Sequence, residues 1–367
     1  MFKQYKLKNY KFILVLFVVI LNVIGILLIG SAKPSVQSKQ IIGMIAGLSI
    51  MVILSLIDYN FILKFAWLIY LFMLGTLLLV MFAGDDAGGA QRWFEIGGFR
   101  FQPSELAKIL IILFFAYFFM KHEEKINTPK VLIMSLILAG MPLALILKQP
   151  DLSTTIVTAL IFAALLFVAG LSYKIVVGVL AVSVPSAIIL FTLLIQDKLP
   201  FIKSYQVTRV MAWLYPDDYP ADAYQQQNSI MAIGSGQLWG KGLNNTDATS
   251  VKNGNFIPEP QTDFIFAVAG EELGFIGTVI IIILLLFITI ECILIARKAK
   301  DTAGKMICCG FAALVGFQSL VNIGVASGVL PNTGLPLPFV SYGLTSLLSL
   351  YIGVGLVLNV GLQPKKY

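Results

Sequence analysis

About ten long apolar stretches divide the chain, each near the length of roughly 20 residues that a helix needs to cross a bilayer. The eighth is longer than the rest, and its first residues could form a re-entrant or loop segment. The pattern predicts an all-α polytopic membrane protein with a single transmembrane domain over residues 1–367. The predicted spans are Phe12–Gly30, Ile41–Ile57, Ile62–Phe82, Leu106–Met120, Val131–Leu147, Thr154–Gly170, Ile175–Ile195, Phe264–Ala296, Met306–Val329 and Ser341–Leu362.

The composition supports a membrane protein and limits the kinds of catalysis that the side chains could perform. Of the residues, 58% are hydrophobic and 12% are charged, whereas soluble domains are about half apolar and a quarter charged. The three cysteines, Cys292, Cys308 and Cys309, lie in or beside apolar spans and are interpreted as apolar fillers. The single histidine, His122, lies in a charged loop, so the sequence does not favour serine–histidine catalysis.

The distribution of Lys and Arg predicts the orientation. If the N-terminus is cytoplasmic and the spans alternate, most basic residues outside the long loops fall on the inner side, as membrane proteins prefer. An even number of spans also places Lys365 and Lys366 in the cytoplasm. Both termini are therefore predicted to be cytoplasmic. Basic cytoplasmic loops account for the net charge of +7 without a nucleic-acid partner.

Two loops on the predicted outer side are more than connectors. One is Ala83–Pro103, and the other is the large extracellular loop between the seventh and eighth spans, residues 197–262. A structureless loop of that length is unusual, and such loops tend to be functional. Within it, Tyr205–Tyr215 has helical spacing with Arg209 on a polar face, and Ala223–Leu238 could form a helix along the membrane surface. The glycines that follow form a turn-rich section without the strand and helix of a phosphate-binding fingerprint.

Asp263 is the first candidate for chemistry. Pro258 and Pro260 break the chain before it, and an apolar run follows it directly. A charge at a membrane boundary is costly to desolvate, so it usually has a partner or a function. Asp263 is therefore either a general base or cation ligand, or an N-cap of the next helix, a position that Thr262 could also occupy.

A second candidate is the start of the fourth span, Gln102 to Lys108. Pro103 and Ser104 are typical of a helix start, with Ser104 as a reasonable N-cap. Glu105 and Lys108 are three residues apart and share a helix face, so they can pair. The pair is either structural or a buried grip for an anion or pyrophosphate on the outer side.

Other polar residues fall on the same predicted side. Asp151 could cap the helix that follows it or face the same cavity as Glu105. Arg209 is either a solvated loop residue or a phosphate ligand, since its planar fork suits phosphate. Trp93 is either an interfacial anchor or a ligand contact. Residues 331–339 form either a rigid outer loop or more of the cavity wall. Their common side predicts one outward-facing site.

These motifs together resemble the SEDS family (shape, elongation, division and sporulation) of bacterial membrane proteins. The resemblance covers nearly the whole chain and is closer to the RodA branch than to the division branch, because the termini are short. It is carried by Arg92-Trp93, Phe101–Lys108, Gln149–Thr154, Arg209-Val210, Gly240–Leu243, Pro258-Glu259, Thr262–Ala267, Glu271–Gly274 and Pro338–Gly343.

The resemblance implies a multi-pass protein of the bacterial cytoplasmic membrane that polymerises lipid II into peptidoglycan glycan strands during cell elongation. The essential aspartate of the family corresponds to Asp263, as base or as ligand to a divalent cation, Mg²⁺ or Mn²⁺. Glu105 and Lys108, and more loosely Asp151 and Arg209, correspond to its polar cavity, and Gln102 and Trp93 are taken as substrate contacts. A class B penicillin-binding protein is the implied transpeptidase partner.

The sequence departs from the family pattern in two places. Gln261 stands where many members have histidine, which removes one possible proton carrier beside Asp263. The common Ser-Tyr-Gly-Gly-Ser-Ser sequence here ends in Leu344-Thr345-Ser346. Two other functions stay open: a lipid II flippase or other lipid-linked transporter, and a scaffold that positions the transpeptidase. Against a transporter, the polar groups cluster on one side, not at the midplane.

Overall fold

The computed structural model describes residues 9–86, 91–96, 99–195, 204–245, 250, 254 and 256–363. All ten predicted spans are helices in this described part, with the third divided into a short and a long helix. The helices before the long loop are α1 (Phe12–Ala32), α2 (Pro34–Leu56), α3 (Tyr59–Leu63), α4 (Ala66–Ala83), α5 (Pro103–Lys121), α6 (Pro129–Lys148), α7 (Leu152–Val168) and α8 (Tyr173–Ile195). After them come α9 (Ser204–Leu214), α10 (Pro220–Ser235), α11 (Ile265–Arg297), α12 (Thr302–Ala326) and α13 (Leu344–Leu362).

Length and apolar composition confirm a membrane protein. Within the described residues, eight helices are long and apolar enough to cross a membrane. The shorter apolar helices are α7 and the Tyr173–Ser183 part of α8. A 3₁₀ turn, Glu123–Lys125, joins α5 to α6. Chain direction places the ends of α4, α6 and α12 beside the starts of α5, α7 and α13, at one end of the bundle.

A small sheet at this end was not part of the all-α prediction. Its strands are β1 (Asp85–Asp86), β2 (Gln91–Ile96) and β3 (Phe99–Phe101), antiparallel in the order β1-β2-β3. In β2 and β3, Glu95 lies opposite Arg100, a favourable pairing of opposite charges. The sheet lies between α4 and α5, and so it fixes Arg92 and Gln102 at the end of the bundle.

The centre of the bundle is formed by α5, α13 and α12. Their sides are mostly buried, whereas the outer helices keep broad exposed apolar faces. A helix that is apolar all round belongs in a core, which fits the phenylalanine-rich sequence of α5. Polar residues in the first turns of α5 and α13 consequently lie in the middle of the bundle end.

The long α11 is broken at Gly274, whose φ of 67° and ψ of −165° are not helical. The eighth predicted span is therefore divided, and its first residues form a short helix, not a loop. We call residues 265–273 the half-helix. A break leaves backbone groups without intrahelical partners, which is costly in a membrane unless other groups satisfy them.

Residues 237–242, which we call the splice segment, supply hydrogen-bond partners for the backbone groups that the break leaves unpaired. The main-chain nitrogens of Lys241 and Gly242 donate to the carbonyls of Glu271 and Glu272, both at 2.9 Å. In the other direction, the nitrogens of Phe275 and Ile276 donate to the carbonyls of Gln237 and Leu238, at 2.8 and 3.2 Å. These are the four groups that would have paired with one another in an unbroken helix.

The described part of the long loop contains two helices, as predicted. The predicted helices Tyr205–Tyr215 and Ala223–Leu238 correspond to α9 and α10. Gln226 and Ser229 on α10 donate to the carbonyls of Val325 and Ala326, at 2.8 and 2.7 Å. Glycines then allow close approach to the half-helix, since a Cβ on Gly236 would lie 1.9 Å from the carbonyl oxygen of Gly270.

Replacement of Gly240 by Ala is expected to destabilise the protein more than replacement of Gly242. Both glycines have positive φ, +77° and +90°, which costs roughly 1–2 kcal/mol for an L-residue. A Cβ on Gly240 would also lie 2.2 Å from the backbone oxygen of Glu272, whereas one on Gly242 meets nothing within 4 Å. The clash adds about 1–3 kcal/mol. Thermal unfolding in detergent measures the stability of both variants. Equal unfolding midpoints would contradict the close packing of Gly240 against Glu272.

Candidate functional site

A cavity of about 240 Å³ opens at the bundle end where the sheet meets the starts of α5, α7 and α13. Five of the predicted site residues line it: Trp93, Gln102, Glu105, Asp151 and Asp263. A smaller cavity of about 60 Å³ adjoins it and is lined by Arg209. The two cavities share Arg92 and Asp151. Residues distant in sequence are thus brought to one site.

Asp263 lies half-buried in the wall of the larger cavity. The N-cap of α11 is Phe264, without a side-chain cap bond, and the hydroxyl of Thr262 donates to the carbonyl of Glu259 at 2.8 Å. The interpretation of Asp263 or Thr262 as an N-cap is therefore wrong. Among the described residues, no donor makes a hydrogen bond or salt bridge to the Asp263 carboxylate.

The backbone around Asp263 is held firmly. Asn322 Nδ2 donates to the carbonyl oxygens of Asp263 and Leu335, at 2.8 and 2.6 Å. Gly334, at φ +72°, lies so close that a Cβ there would be 3.2 Å from Asp263 Oδ2. Residues 331–339 therefore contribute to the cavity wall, through Gly334, Leu335 and Pro336.

The surroundings raise the pKa of Asp263 to about 6. Burial is the largest cause, since it penalises the charged form. Arg209 opposes it, while the acids Asp151, Glu259 and Glu105 add to it. A carboxylate with a pKa near neutrality is ionised in much of the population at pH 7 and still basic enough to accept a proton.

The predicted pair of Glu105 and Lys108 is confirmed. Lys108 Nζ donates to Glu105 Oε1 at 2.7 Å and to Gln318 Oε1 at 2.7 Å. Glu105 is 4% exposed and Lys108 is 1% exposed. Glu105 lines the larger cavity, whereas Lys108 lines neither cavity and lies behind Glu105. The geometry makes Lys108 a support for the charge of Glu105.

One structural expectation for this segment is wrong. Pro103 begins α5, as predicted, but the N-cap is Gln102, without a side-chain cap bond. Ser104 is the second helical residue, and its buried hydroxyl has no partner among the described atoms. The proline fixes the helix start one residue earlier than the Ser104 cap would require. Gln102 instead donates from Nε2 to Asp151 Oδ2 at 3.3 Å.

Asp151 serves as a cap and as part of the wall. Its Oδ1 accepts a bond from the main-chain nitrogen of Thr154 at 3.1 Å, which caps α7. Its side chain lines both cavities. The two interpretations of this residue are therefore compatible, because one carboxylate oxygen caps the helix and the other faces Gln102.

Two residues of the cavity wall, Arg92 and Thr345, were not identified as site residues from the sequence. Arg92 lines both cavities, and its Nε donates to the carbonyl of Gln149 at 2.7 Å, which joins β2 to the end of α6. Thr345 Oγ1 accepts from the Gln102 nitrogen at 3.2 Å and donates to the Arg100 carbonyl at 3.0 Å. For Arg92, the only indication in the sequence was the Arg92-Trp93 motif. For Thr345, hydrophobic periodicity gave no indication.

The arrangement can combine a base with positive charge. Arg209 is exposed on α9 and faces the smaller cavity with Arg92. Guanidinium groups suit the oxygens of an anionic phosphate group.

Over the described residues, no three His, Cys, Asp or Glu side chains form a group that could hold a metal ion. A divalent cation at Asp263 would therefore need ligands from a substrate.

Comparison with known proteins gives a consistent result over the whole chain. The family profile FTSW_RODA_SPOVE, described as cell cycle protein, matches residues 6–366. "Probable peptidoglycan glycosyltransferase FtsW" of Geobacter metallireducens is 32% identical over 380 residues, which cover 98% of this chain and 96% of that protein. "Peptidoglycan glycosyltransferase MrdB" of Escherichia coli K12 is 39% identical over 329 residues, covering 88% and 85%.

Solved structures agree with these relatives. The rod shape determining protein RodA of Thermus thermophilus is 28% identical, with a TM-score of 0.69 and coverage of 96% of both chains. A chain from the structure described as "Structural coordination of polymerization and crosslinking by a peptidoglycan synthase complex" has a TM-score of 0.77 and 30% identity. The matched region covers 96% of this chain and 97% of the chain in that structure.

The raised pKa of Asp263 predicts a pH-dependent gain in stability for Asp263→Asn. The folded state holds the proton more tightly than the unfolded chain, whose aspartate pKa is about 3.9. Stability is therefore lost as pH rises from about 4 to 6, and the ionised carboxylate costs about 3 kcal/mol above that range. Asp263→Asn should unfold at a higher temperature than wild type at pH 8.

The gain should disappear near pH 3, where the wild-type carboxyl is mostly protonated in both the folded and the unfolded state. Asp151→Ala serves as the contrast, because the loss of a helix cap should cost about 1 kcal/mol at pH 8. An Asp263→Asn protein with the same difference from wild type at both pH values would disprove the raised pKa.

Proposed function

The chain belongs to the FTSW_RODA_SPOVE family of cell cycle proteins, and we propose that it polymerises lipid II into glycan strands on the outer face of the bacterial cytoplasmic membrane. It is a peptidoglycan glycosyltransferase, as its relatives are named. The resemblance to SEDS proteins stated from the motifs is confirmed. The observation that carries the proposal is the Asp263 carboxylate, which faces a polar cavity without a protein donor among the described residues.

The reaction joins the 4-hydroxyl of an acceptor GlcNAc to C1 of a donor MurNAc. The donor linkage is α and the product is β, so one displacement with inversion suffices. Undecaprenyl pyrophosphate leaves with the bonding electrons. Asp263 takes the hydroxyl proton, which its pKa of about 6 permits at neutral pH. General bases of this kind contribute about 10²- to 10⁴-fold to the rate.

The leaving pyrophosphate needs positive charge. Arg209 and Arg92 face the smaller cavity next to Asp151, so we place the pyrophosphate there. Lys108 acts indirectly, because its ion pair with Glu105 fixes the Glu105 side chain in the wall. Preorganised charges of this type stabilise a developing anion without reorganisation during the reaction. Gln102 and Trp93 line the larger cavity, where they would contact the sugars.

A divalent cation, Mg²⁺ or Mn²⁺, fits this arrangement only as an ion shared with the substrate. Mg²⁺ is commonly held by one or two carboxylates plus substrate phosphates. Asp263 supplies a carboxylate without a described protein donor, and the pyrophosphate would supply the other oxygens. When bound, the cation would neutralise charge on the leaving group.

The setting of the reaction is also proposed. The charge pattern supports cytoplasmic termini and a cavity on the outer face, where lipid II would present its sugars. The similar chain described as part of a peptidoglycan synthase complex supports a class B penicillin-binding protein as transpeptidase partner. The likeness to the rod shape determining protein RodA supports a role in cell elongation.

Asp263→Ala and Asp263→Asn should abolish polymerisation of lipid II by the purified protein, by about 100-fold or more, because the base is lost. Glu124→Ala is the matched control, since Glu124 is an exposed acid in the 3₁₀ turn at the opposite end. Gel separation of glycan strands measures the product, and EDTA followed by Mg²⁺ or Mn²⁺ tests the cation.

Polymerisation at the wild-type rate by either Asp263 variant would refute the assignment of the base. Movement of lipid II across vesicle membranes without polymer would instead indicate a flippase. Normal rod shape in cells that carry only Asp263→Ala would indicate a scaffold. The enzyme proposal predicts polymer from the wild-type protein and rounding of the mutant cells.

A further inference from the structure

A second polar cluster lies outside both cavities, where the splice segment meets the half-helix. Lys241 Nζ lies 2.8 Å from Glu271 Oε1, and the Glu271 side chain is only 3% exposed while Lys241 is 25% exposed. Neither residue lines the larger or the smaller cavity. The mechanism proposed above therefore leaves this ion pair without a role.

Lys241 holds the end of the half-helix in two ways. Its main-chain nitrogen donates to the Glu271 carbonyl at 2.9 Å, and its side chain pairs with the carboxylate of the same residue. The next acid is held as well: the Ser31 hydroxyl donates to the Glu272 carboxylate and accepts a bond from the Asn244 nitrogen at 3.1 Å. The splice segment and the end of α1 thus fix this end.

The half-helix transmits this position to Asp263. It begins two residues after Asp263 and is buried from Ile265 to Glu272. A helix of this length is a rigid rod of roughly 13 Å at 1.5 Å per residue. Its far end is free of the rest of α11 because Gly274 breaks the helix. The near end is held by Asn322, which donates to the Asp263 carbonyl.

We propose that Lys241 is a positioning residue for the transferase reaction, whose ion pair with Glu271 fixes the half-helix and thereby the place of the Asp263 carboxylate in the cavity. The inference rests on the proposed function for its catalytic consequence. The ion pair adds directional restraint to the backbone bonds, because a buried carboxylate needs its partner in one place. Displacement of a catalytic group by 1 Å can lower a rate about 100-fold.

Four variants of the full-length protein test the proposal. Lys241→Met removes the charge, Lys241→Arg keeps it, and Lys241→Met combined with Glu271→Met removes both charges without leaving the carboxylate behind. Lys125→Met is the matched control, since Lys125 is an exposed lysine in the 3₁₀ turn at the opposite end. Each is compared with wild type for kcat and KM with lipid II, thermal unfolding, and hydrogen–deuterium exchange of residues 265–276.

Lys241→Met should lower kcat by about 10- to 100-fold with KM changed less than about twofold, because Lys241 touches neither cavity. Residues 265–276 should exchange faster, while α12 and α13 keep their protection. Lys241→Arg should retain most of the activity, and the double variant should stay as slow as Lys241→Met. Lys125→Met should behave as wild type.

Three results would overturn the proposal. One is a wild-type kcat for Lys241→Met, and another is unchanged exchange over residues 265–276. The third is recovery of kcat in the double variant, which would show that only the isolated charge of Glu271 had been harmful. If the wild-type protein makes no polymer but Lys241→Met still exposes residues 265–276, the polymerase proposal fails and the restraint on the half-helix stands.

Discussion

The need to satisfy backbone hydrogen bonds at the break in α11 is the constraint on which the site depends. An unbroken helix would carry the segment after Asp263 straight across the membrane. The break at Gly274 instead turns the half-helix into a separate buried rod, and residues 237–242 satisfy the four groups that the break releases. In the absence of water, such groups would cost several kcal/mol. The long loop is thus part of the fold.

This constraint explains why the Asp263 carboxylate can remain without a hydrogen-bond or salt-bridge partner among the described residues. The half-helix is held at its far end by the splice segment and at its near end by Asn322. The backbone is therefore fixed without help from the carboxylate. The side chain can face the cavity with a raised pKa, because the backbone on either side of it is held by other residues.

The sequence predicted the helices well and the site only in part. Ten apolar stretches were sufficient to predict the spans, because length and hydropathy decide whether a segment can cross a membrane. The Glu105–Lys108 pair and the cap at Asp151 followed from local helix rules. By contrast, the sheet, the position of Arg92 and the contacts of Thr345 depend on which segments meet at the end of the bundle.

Two expectations were wrong because local and tertiary preferences compete. Ser104 is a good N-cap by itself, but Pro103 starts the helix before it. Asp263 is likewise a good N-cap, yet Phe264 occupies that position. The role of Lys241 could not be predicted, because the partner of a loop lysine 30 residues distant depends on the break at Gly274.

The pH dependence of lipid II polymerisation tests the state of Asp263 most directly. With a base whose pKa is about 6, kcat/KM of the wild-type protein should be level above neutrality. It should fall about tenfold per pH unit below pH 6, because only the ionised form accepts the proton. An acid limb near pH 4, or none down to pH 5, would contradict a half-buried carboxylate acting as the base.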